Sequence, residues 1–327
     1  MSQISFPRKG YDGSNITQKK LEKKYFSRIK TRITKRLQKV YNKSTDAREK
    51  WATRYFMIYL QKIILAQPAD LLLIQERVLN RLGDVFDDRS PGSFNKRILD
   101  AFDYAGYRKS VLVDLAKWID LKTCPYCNSH YTLYLGFLKD QKHPKGLTKF
   151  QFDHFLNKGD APFLSMSLYN LIPSCAVCNS SKSDKDWPIE LNPYESNINS
   201  LYSFRVFKPL RLMNGEPIGH PVKIILKPTQ PKYQQAIETL DNDVFLSKRY
   251  GRCQDVVQDI FDRAYTYPYY SKSPNFENML SNFSEEKFKQ IWLGTYTDTK
   301  DIEKRPFTKF AQDLWEQAMS QSGINAI

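Results

Sequence analysis

Long hydrophobic runs are missing from this 327-residue sequence. The most apolar stretch, Tyr55 to Ala66, is broken by Gln61 and Lys62 and is too short to cross a bilayer. The opening residues MSQISFPRKGYDG hold no apolar core of signal-peptide type, so export is not expected. A soluble, cytoplasmic protein is the expectation, and disulfides are disfavoured with it. Internal repeats and long low-complexity tracts are absent as well. A hydrophobic content of 41% with 14% aromatic residues argues against global disorder. No Gly-x-x-x-x-Gly-Lys-Ser/Thr loop occurs, so any nucleotide sensing must come from a partner.

Acidic residues are in the minority, 35 against 50 Lys and Arg, for a net charge of +15. The excess is uneven: residues 1–50 hold 15 Lys and Arg against four Asp and Glu, a net of +11. Such a surplus suits a polyanion, because neutralised phosphates release their counterions, but it also suits a solvated helix face or a dock for an acidic protein. From Thr17 to Lys43 the sequence reads as a basic amphipathic helix, with Leu21, Tyr25, Ile29, Ile33, Leu37 and Tyr41 at four-residue steps. Two readings stay open for it. Lys19, Lys23, Lys24, Arg28, Lys35 and Arg36 contact a phosphate backbone, or the apolar stripe docks the helix onto a partner subunit.

Further helices are expected over about 47–65, 69–82 (after Pro68 and stopping before Gly83) and 94–120. The character changes at Leu121, after which come turns and short strands. Ser203 to Leu226 suggests a hairpin turning at Asn214-Gly215. Gln234 to Arg263 reads as helix interrupted near Asp241, and Tyr265 to Tyr270 as an aromatic connection that packs rather than stacks on bases. Two helices, about 284–293 and 306–320, close the chain.

Four of the five cysteines form two Cys-x-x-Cys pairs, Cys124/Cys127 and Cys175/Cys178, with 47 residues between them. Two such knuckles can supply the four thiolates of a tetrahedral zinc site, which leaves no open position and is therefore structural. A redox role needs only one pair, opening a helix, and leaves the second unexplained. Cys253 is left over and reads as a buried small apolar residue rather than a reactive thiol.

Between the pairs lies KFQFDHFLNKGDAPFLSMSLYNLIPSC. Lys149 to Leu156 alternates like a strand that places Phe150, Phe152 and His154 on one face, with Asp153 opposite unless the strand ends or bends there. Asn179 is expected to begin a helix running through Ser180, Ser181, Lys182 and Lys185. Hydrolysis of a phosphodiester needs a base for water and a hard cation for the developing charge. His154 has the pKa range of a base. Asp153 and the Asn179 carbonyl are oxygen ligands of the kind Mg²⁺ or Mn²⁺ takes. Asn170 can donate and accept, which suits it to brace the loop that orients His154. Lys182, one turn past Asn179, either reaches a phosphate or faces solvent. His130, His143 and His220 have no supporting partners in the sequence.

CPYC, DHF, YNLIPSC and CNSSK, in this order, resemble a zinc-stabilised HNH endonuclease of the ββα-metal superfamily. The pattern is similar to the HNH subunits of Septu-type bacterial antiphage systems, including those attached to retrons. It is strong over about 120–195 and weaker through Asn192-Pro193-Tyr194, the hairpin and Leu240 to Arg249. One departure is Leu156-Asn157, where a proline often follows the DHF segment. The resemblance implies His154 as general base, Asp153 and Asn179 as ligands of a catalytic Mg²⁺ or Mn²⁺, Asn170 as the loop brace and the four cysteines on Zn²⁺. It also implies DNA before RNA as substrate and an ATPase partner encoded nearby. The expected fold is α+β: a basic, mostly helical region over 1–115, a ββα-metal core with its four-cysteine zinc site over 116–200, and a hairpin with helices over 201–327. A zinc-organised binding module with a vestigial site is the competing reading.

Overall fold

The fold is α+β. The structure is a computed structural model and describes residues 3–136, 147–207, 222–271 and 283–321. The expected turn at Asn214-Gly215, His143 and His220 lie outside them. The chain divides into two compact units, one of Gln3–Leu121 and Thr132–Ser196, the other chiefly of Lys122–Tyr131 and Asn197–Ile327.

In the first unit, helix α1 (Gln18–Lys43) starts at Thr17, whose hydroxyl accepts from the Lys20 N–H. Leu21, Tyr25, Ile29, Ile33 and Leu37 are buried, and the stripe then steps to Val40 instead of Tyr41. Each four-residue step overshoots a turn by about 40° at 3.6 residues per turn, so a three-residue step is needed to restore the stripe. The stripe packs within its own unit, against α2 (Ala47–Ile58), α3 (Leu60–Ile64), α5 (Phe94–Phe102) and α7 (Val111–Ile119). This corrects the partner-docking reading, because the apolar face is already covered.

Helix α4 (Pro68–Asp87) does not stop before Gly83 but kinks at Leu82 and continues. Continuing places the Phe86 ring 5.3 Å from Phe94 and 5.6 Å from Phe163, and that burial outweighs one glycine in the helix. The stretch 94–120 breaks into α5, the single turn α6 (Tyr104–Tyr107) and α7, with Asp103 in the left-handed region at φ 57°. A two-residue ribbon, β1 (Arg8–Lys9) with β2 (Asn15–Ile16), is too short to show any alternation in the sequence.

In the second unit, β5 (Tyr202–Val206) and β6 (Ile224–Pro228) pair antiparallel, Phe204 opposite Leu226. The helices α9 (Ile198–Leu201), α10 (Gln234–Val244), α11 (Leu246–Tyr250) and α14 (Thr308–Gln321) pack on these strands, and α12 (Gln254–Ser271) packs on α14 and on α13 (Glu285–Leu293). The outer edge of β5 is closed by α14: Asp313 Oδ2 accepts from the Phe204 N–H at 2.8 Å, and Gln317 bonds both the N–H and the C=O of Val206. Four residues of helix rise about 6 Å, nearly the rise of two strand residues, so one helix face can occupy alternate sites on an edge that would otherwise stay open. Residues Tyr265 to Tyr270 are not a connection but the end of α12, with Pro268 inside the helix. Proline costs that helix the bond to the Ala264 carbonyl. Tyr267, packed on Phe288, Trp292 and Trp315, offsets the loss.

Candidate active site

All the elements of this site belong to the first unit. Strand β3 (Gln151–His154) pairs antiparallel with β4 (Leu171–Ser174), His154 opposite Leu171, and β4 leads directly into helix α8 (Ala176–Lys182). The strand is shorter than the expected 149–156, and its alternation does not reach Asp153 and His154. Both are buried and both line one cavity. The reason is that the strand ends at His154, after which the Phe155 N–H turns to the Asn170 carbonyl at 2.9 Å.

Asn170 is fully buried and uses both ends of its amide. Oδ1 accepts from the Leu156 N–H at 2.7 Å, and Nδ2 donates to the carbonyls of Leu156 and Leu164 at 3.2 and 3.1 Å. This closes the loop between β3 and β4 and fixes the neighbour of Ser165, whose carbonyl is 3.0 Å from His154 Nε2. A carbonyl only accepts, so Nε2 carries the hydrogen and Nδ1 keeps its lone pair. Nδ1 has no hydrogen-bond partner among the described residues. Burial, with the charge of Lys158 and then Lys182, holds the imidazole far below its usual range, at about 3, despite the Ser165 carbonyl. The ring is neutral at physiological pH. Tyr104 stands edge-on to it, ring centroids 4.4 Å apart, and donates its hydroxyl to the Phe152 carbonyl.

Asn170→Ala leaves one N–H and two carbonyls buried without partners, so a loss of roughly 3 kcal/mol in urea unfolding is expected. Asn170→Asp should be no milder, since it turns a carboxylate toward two carbonyls. A change below about 1 kcal/mol in both variants would show that these bonds do not hold the loop.

Asn179 does not begin the helix. Helix α8 starts at Ala176 and is capped by Cys175, whose Sγ accepts from the Cys178 N–H, because the Cys-x-x-Cys turn itself supplies the cap. Asn179 is the helix's fourth residue, and its Nδ2 donates to Gln151 Oε1 on β3. Its Oδ1 has no partner among the described residues and belongs to a side chain that lines the cavity. Lys182 neither faces solvent nor reaches out to a phosphate. It is completely buried, its Nζ donates to the His154 carbonyl at 3.0 Å, and it lies 3.6 Å from Asp153 Oδ2. A buried ammonium must be compensated, and here it is compensated by the end of β3 and by the rings of Phe155 and Trp187.

The cavity holds about 1250 Å³ and brings Asp153, His154 and Asn179 together. The hard oxygens of Asp153 and Asn179 are of the kind a divalent cation takes, beside an imidazole nitrogen free to accept a proton. Gln151, Tyr104, Arg108 and Lys158 line the same space, and the sequence alone does not single them out. Tyr104 and Arg108 lie outside the strand–strand–helix segment, and Lys158 sits in the β3–β4 connection at no motif position, so no motif spacing marks them. None of the six α1 cations lines the cavity. Arg28 pairs with Asp114, Arg36 with Asp103 and the Asp100 carbonyl, and Lys24 lies over Trp118. Lys19, Lys23 and Lys35 are exposed.

The sulfur atoms of Cys124, Cys127, Cys175 and Cys178 lie within 4.8 Å of one another, all four residues buried, in an arrangement that can hold a metal ion. Four thiolates about 2.3 Å from a tetrahedral zinc would stand about 3.8 Å apart, so the spacing fits that ion. Donors already converge on the sulfurs: Ser129 offers its N–H and its hydroxyl to Cys127, as the Cys178 N–H does to Cys175. Such bonds stabilise thiolate charge. His130 Nδ1 lies 3.8 Å from Cys127 Sγ, a proximity that nothing in the sequence spacing reveals. Cys253 is half-buried, and burial raises its thiol pKa, which makes it a poor nucleophile. Among the described residues no helix is long and apolar enough to cross a membrane. No protein-family model, no curated protein and no solved structure matches this chain.

Proposed function

We propose that the chain is a divalent-metal-dependent HNH endonuclease, that β3, β4 and α8 form its ββα-metal core, and that it hydrolyses phosphodiester bonds in DNA. The observation carrying this reading is His154 held by the Ser165 carbonyl, its Nδ1 without a hydrogen-bond partner among the described residues, in one cavity with Asp153 and Asn179. His154 Nδ1 takes the proton from the attacking water. The Ser165 carbonyl, at the other nitrogen, stabilises the imidazolium that results. Asp153 and Asn179 hold the cation, with Asn179 oriented by Gln151 and Asp153 beside Lys182. Mg²⁺ or Mn²⁺ bound there supplies Lewis acidity toward the phosphate and its leaving oxygen. The four cysteines hold a structural Zn²⁺. The motif resemblance adds an effector role in bacterial antiphage defence beside an ATPase partner. A merely binding module has no use for an oriented, unprotonated imidazole beside a carboxylate.

Equal-length DNA and RNA oligonucleotides, incubated with the zinc-loaded chain and Mg²⁺ or Mn²⁺, test the substrate. DNA is expected to be cut and RNA spared, with chelator stopping the reaction. Cleavage of RNA alone would move the substrate class, and cleavage of neither would remove the nuclease reading.

The basic face of α1 is proposed to add affinity for the DNA backbone through Lys19, Lys23 and Lys35. Removing the whole helix would destroy the core, so charge reversal is the proper probe. In the Lys19→Glu, Lys23→Glu, Lys35→Glu variant, the slope of log K against log[salt] should flatten by about 0.9 for each duplex phosphate no longer neutralised. An unchanged slope would take α1 out of the DNA interface.

A further inference from the structure

Three cations share the cavity with Asp153, His154 and Asn179: Arg108 and Lys109, in the break between α6 and α7, and Lys158, in the connection between β3 and β4. What sets them apart from cations such as Lys19 and Arg54, which are also without an ion pair, is that they line this cavity, and they differ from the paired arginines of the same unit. Arg28, Arg36, Arg48, Arg89 and Arg97 each have a carboxylate oxygen within 4 Å. Arg108, Lys109 and Lys158 have none among the described residues.

Lys158 is half-buried, with its ammonium 5.0 Å above the ring of Tyr104, the same ring that stands against His154. Burial, Arg108 and Lys96 all disfavour its charge, and the carboxylate opposing them is Asp153 of the candidate site. Asp153 and Asp184 also line the recess, but neither comes within ion-pair distance of these three cations, so like charges gathered there cost free energy that an anion entering the recess recovers. The recess also has an apolar side, with Leu112, Leu147 and the half-buried Phe150. It is therefore not a general ion trap but a space for a molecule that carries phosphate and apolar surface together, as a nucleotide strand does.

We propose that Arg108 and Lys158 grip backbone phosphate of the DNA strand that enters the cavity, with Lys109 adding exposed charge beside them. The inference rests on the nuclease reading and assigns substrate anchoring to the α6–α7 break and the β3–β4 connection, separate from the residues proposed for chemistry. Arg108 can present a planar fork to two phosphate oxygens, whereas Lys158 acts as a point charge. Both are positioning residues: their loss should raise KM far more than it lowers kcat.

The test is DNA binding by the full, zinc-loaded chain carrying His154→Ala, so that nothing is cut, alone or with Arg108→Ala, Arg108→Lys, Lys158→Ala or Lys158→Gln. Fluorescence anisotropy with duplex and single-stranded oligonucleotides is followed across a salt series. Arg108→Ala, Lys158→Ala and Lys158→Gln are each expected to weaken binding about tenfold near 0.1 M salt. Each should also lower the salt slope by about 0.9 on duplex or about 0.7 on single strand. Arg108→Lys, which keeps the charge, should retain the slope, a rescue that a purely structural role would not produce. Arg108 is exposed, so its truncation spares the core, and Lys158→Gln keeps the stem of a half-buried side chain. Unchanged affinity and slope in Arg108→Ala and both Lys158 variants would overturn the proposal. The two readings fail separately. Cleavage by the wild type with unmoved binding and KM sinks this inference alone, whereas slope changes in a chain that cuts nothing sink the hydrolysis and leave the phosphate site.

Discussion

His154→Ala is expected to reduce DNA cleavage by at least about 10²-fold, the lower end of what a general base contributes. The structure sharpens that expectation, because the imidazole is not an exposed surface base. It is buried, donates to Ser165 and stands against Tyr104. Truncation leaves that carbonyl unpaired and a space beside the tyrosine, so a stability loss of roughly 1–3 kcal/mol should accompany the loss of rate. His154→Gln separates the two effects, since an amide nitrogen can still donate to Ser165 but offers no basic nitrogen. It should recover stability without recovering rate. Zinc content should be untouched in both variants. Residual cleavage within about tenfold of wild type would be too much for a lost base and would remove His154 from that role.

Cys178→Ser is expected to do the opposite, abolishing stability first and activity only as a consequence. Metal binding at a four-thiolate site is part of the folding free energy, about 10–16 kcal/mol in zinc-folded peptides. That is as large as the whole stability of an ordinary domain, about 5–15 kcal/mol. Cys178 is also the residue whose N–H bonds Cys175 at the start of α8, directly before Asn179. Cys124→Ser should behave alike, and both variants should be poorly soluble and short of zinc. Elemental analysis of the wild type should give about one zinc per chain, the capacity of one such site. A zinc-free chain that melts where the wild type melts would refute the assignment of the cysteines.

What is legible in the sequence is whatever depends on spacing. Two Cys-x-x-Cys pairs imply convergence because a thiolate pair at that spacing needs a second pair to complete a tetrahedron, and the four sulfurs do converge. Leu21, Tyr25, Ile29, Ile33 and Leu37 announce a buried face through their helical period, although nothing in the period says what covers it. The cover is the chain's own α2, α3, α5 and α7. The bonds of Asn170 follow from an amide that must satisfy a closed loop, and the residue's chemistry hints at them.

The rest depends on tertiary packing. A lysine such as Lys182 is usually exposed, but this one is buried where the end of β3 presents a carbonyl and a carboxylate to it. Gly83 and Pro268 have the character of helix ends, and packing around Phe86 and Tyr267 carries both helices onward. Arg108 and Lys158 are ordinary cations in the sequence. Only the fold shows that they share a cavity with His154 and have no carboxylate oxygen within 4 Å among the described residues.

The most direct measurement is a plasmid cleavage time course with the purified, zinc-loaded chain, run with Mg²⁺ or Mn²⁺ and quenched at intervals with chelator. Supercoiled DNA is expected to convert to nicked or linear product only while the divalent ion is present, with structural zinc retained throughout. Supercoiled DNA left intact by stoichiometric protein in either ion would contradict that expectation.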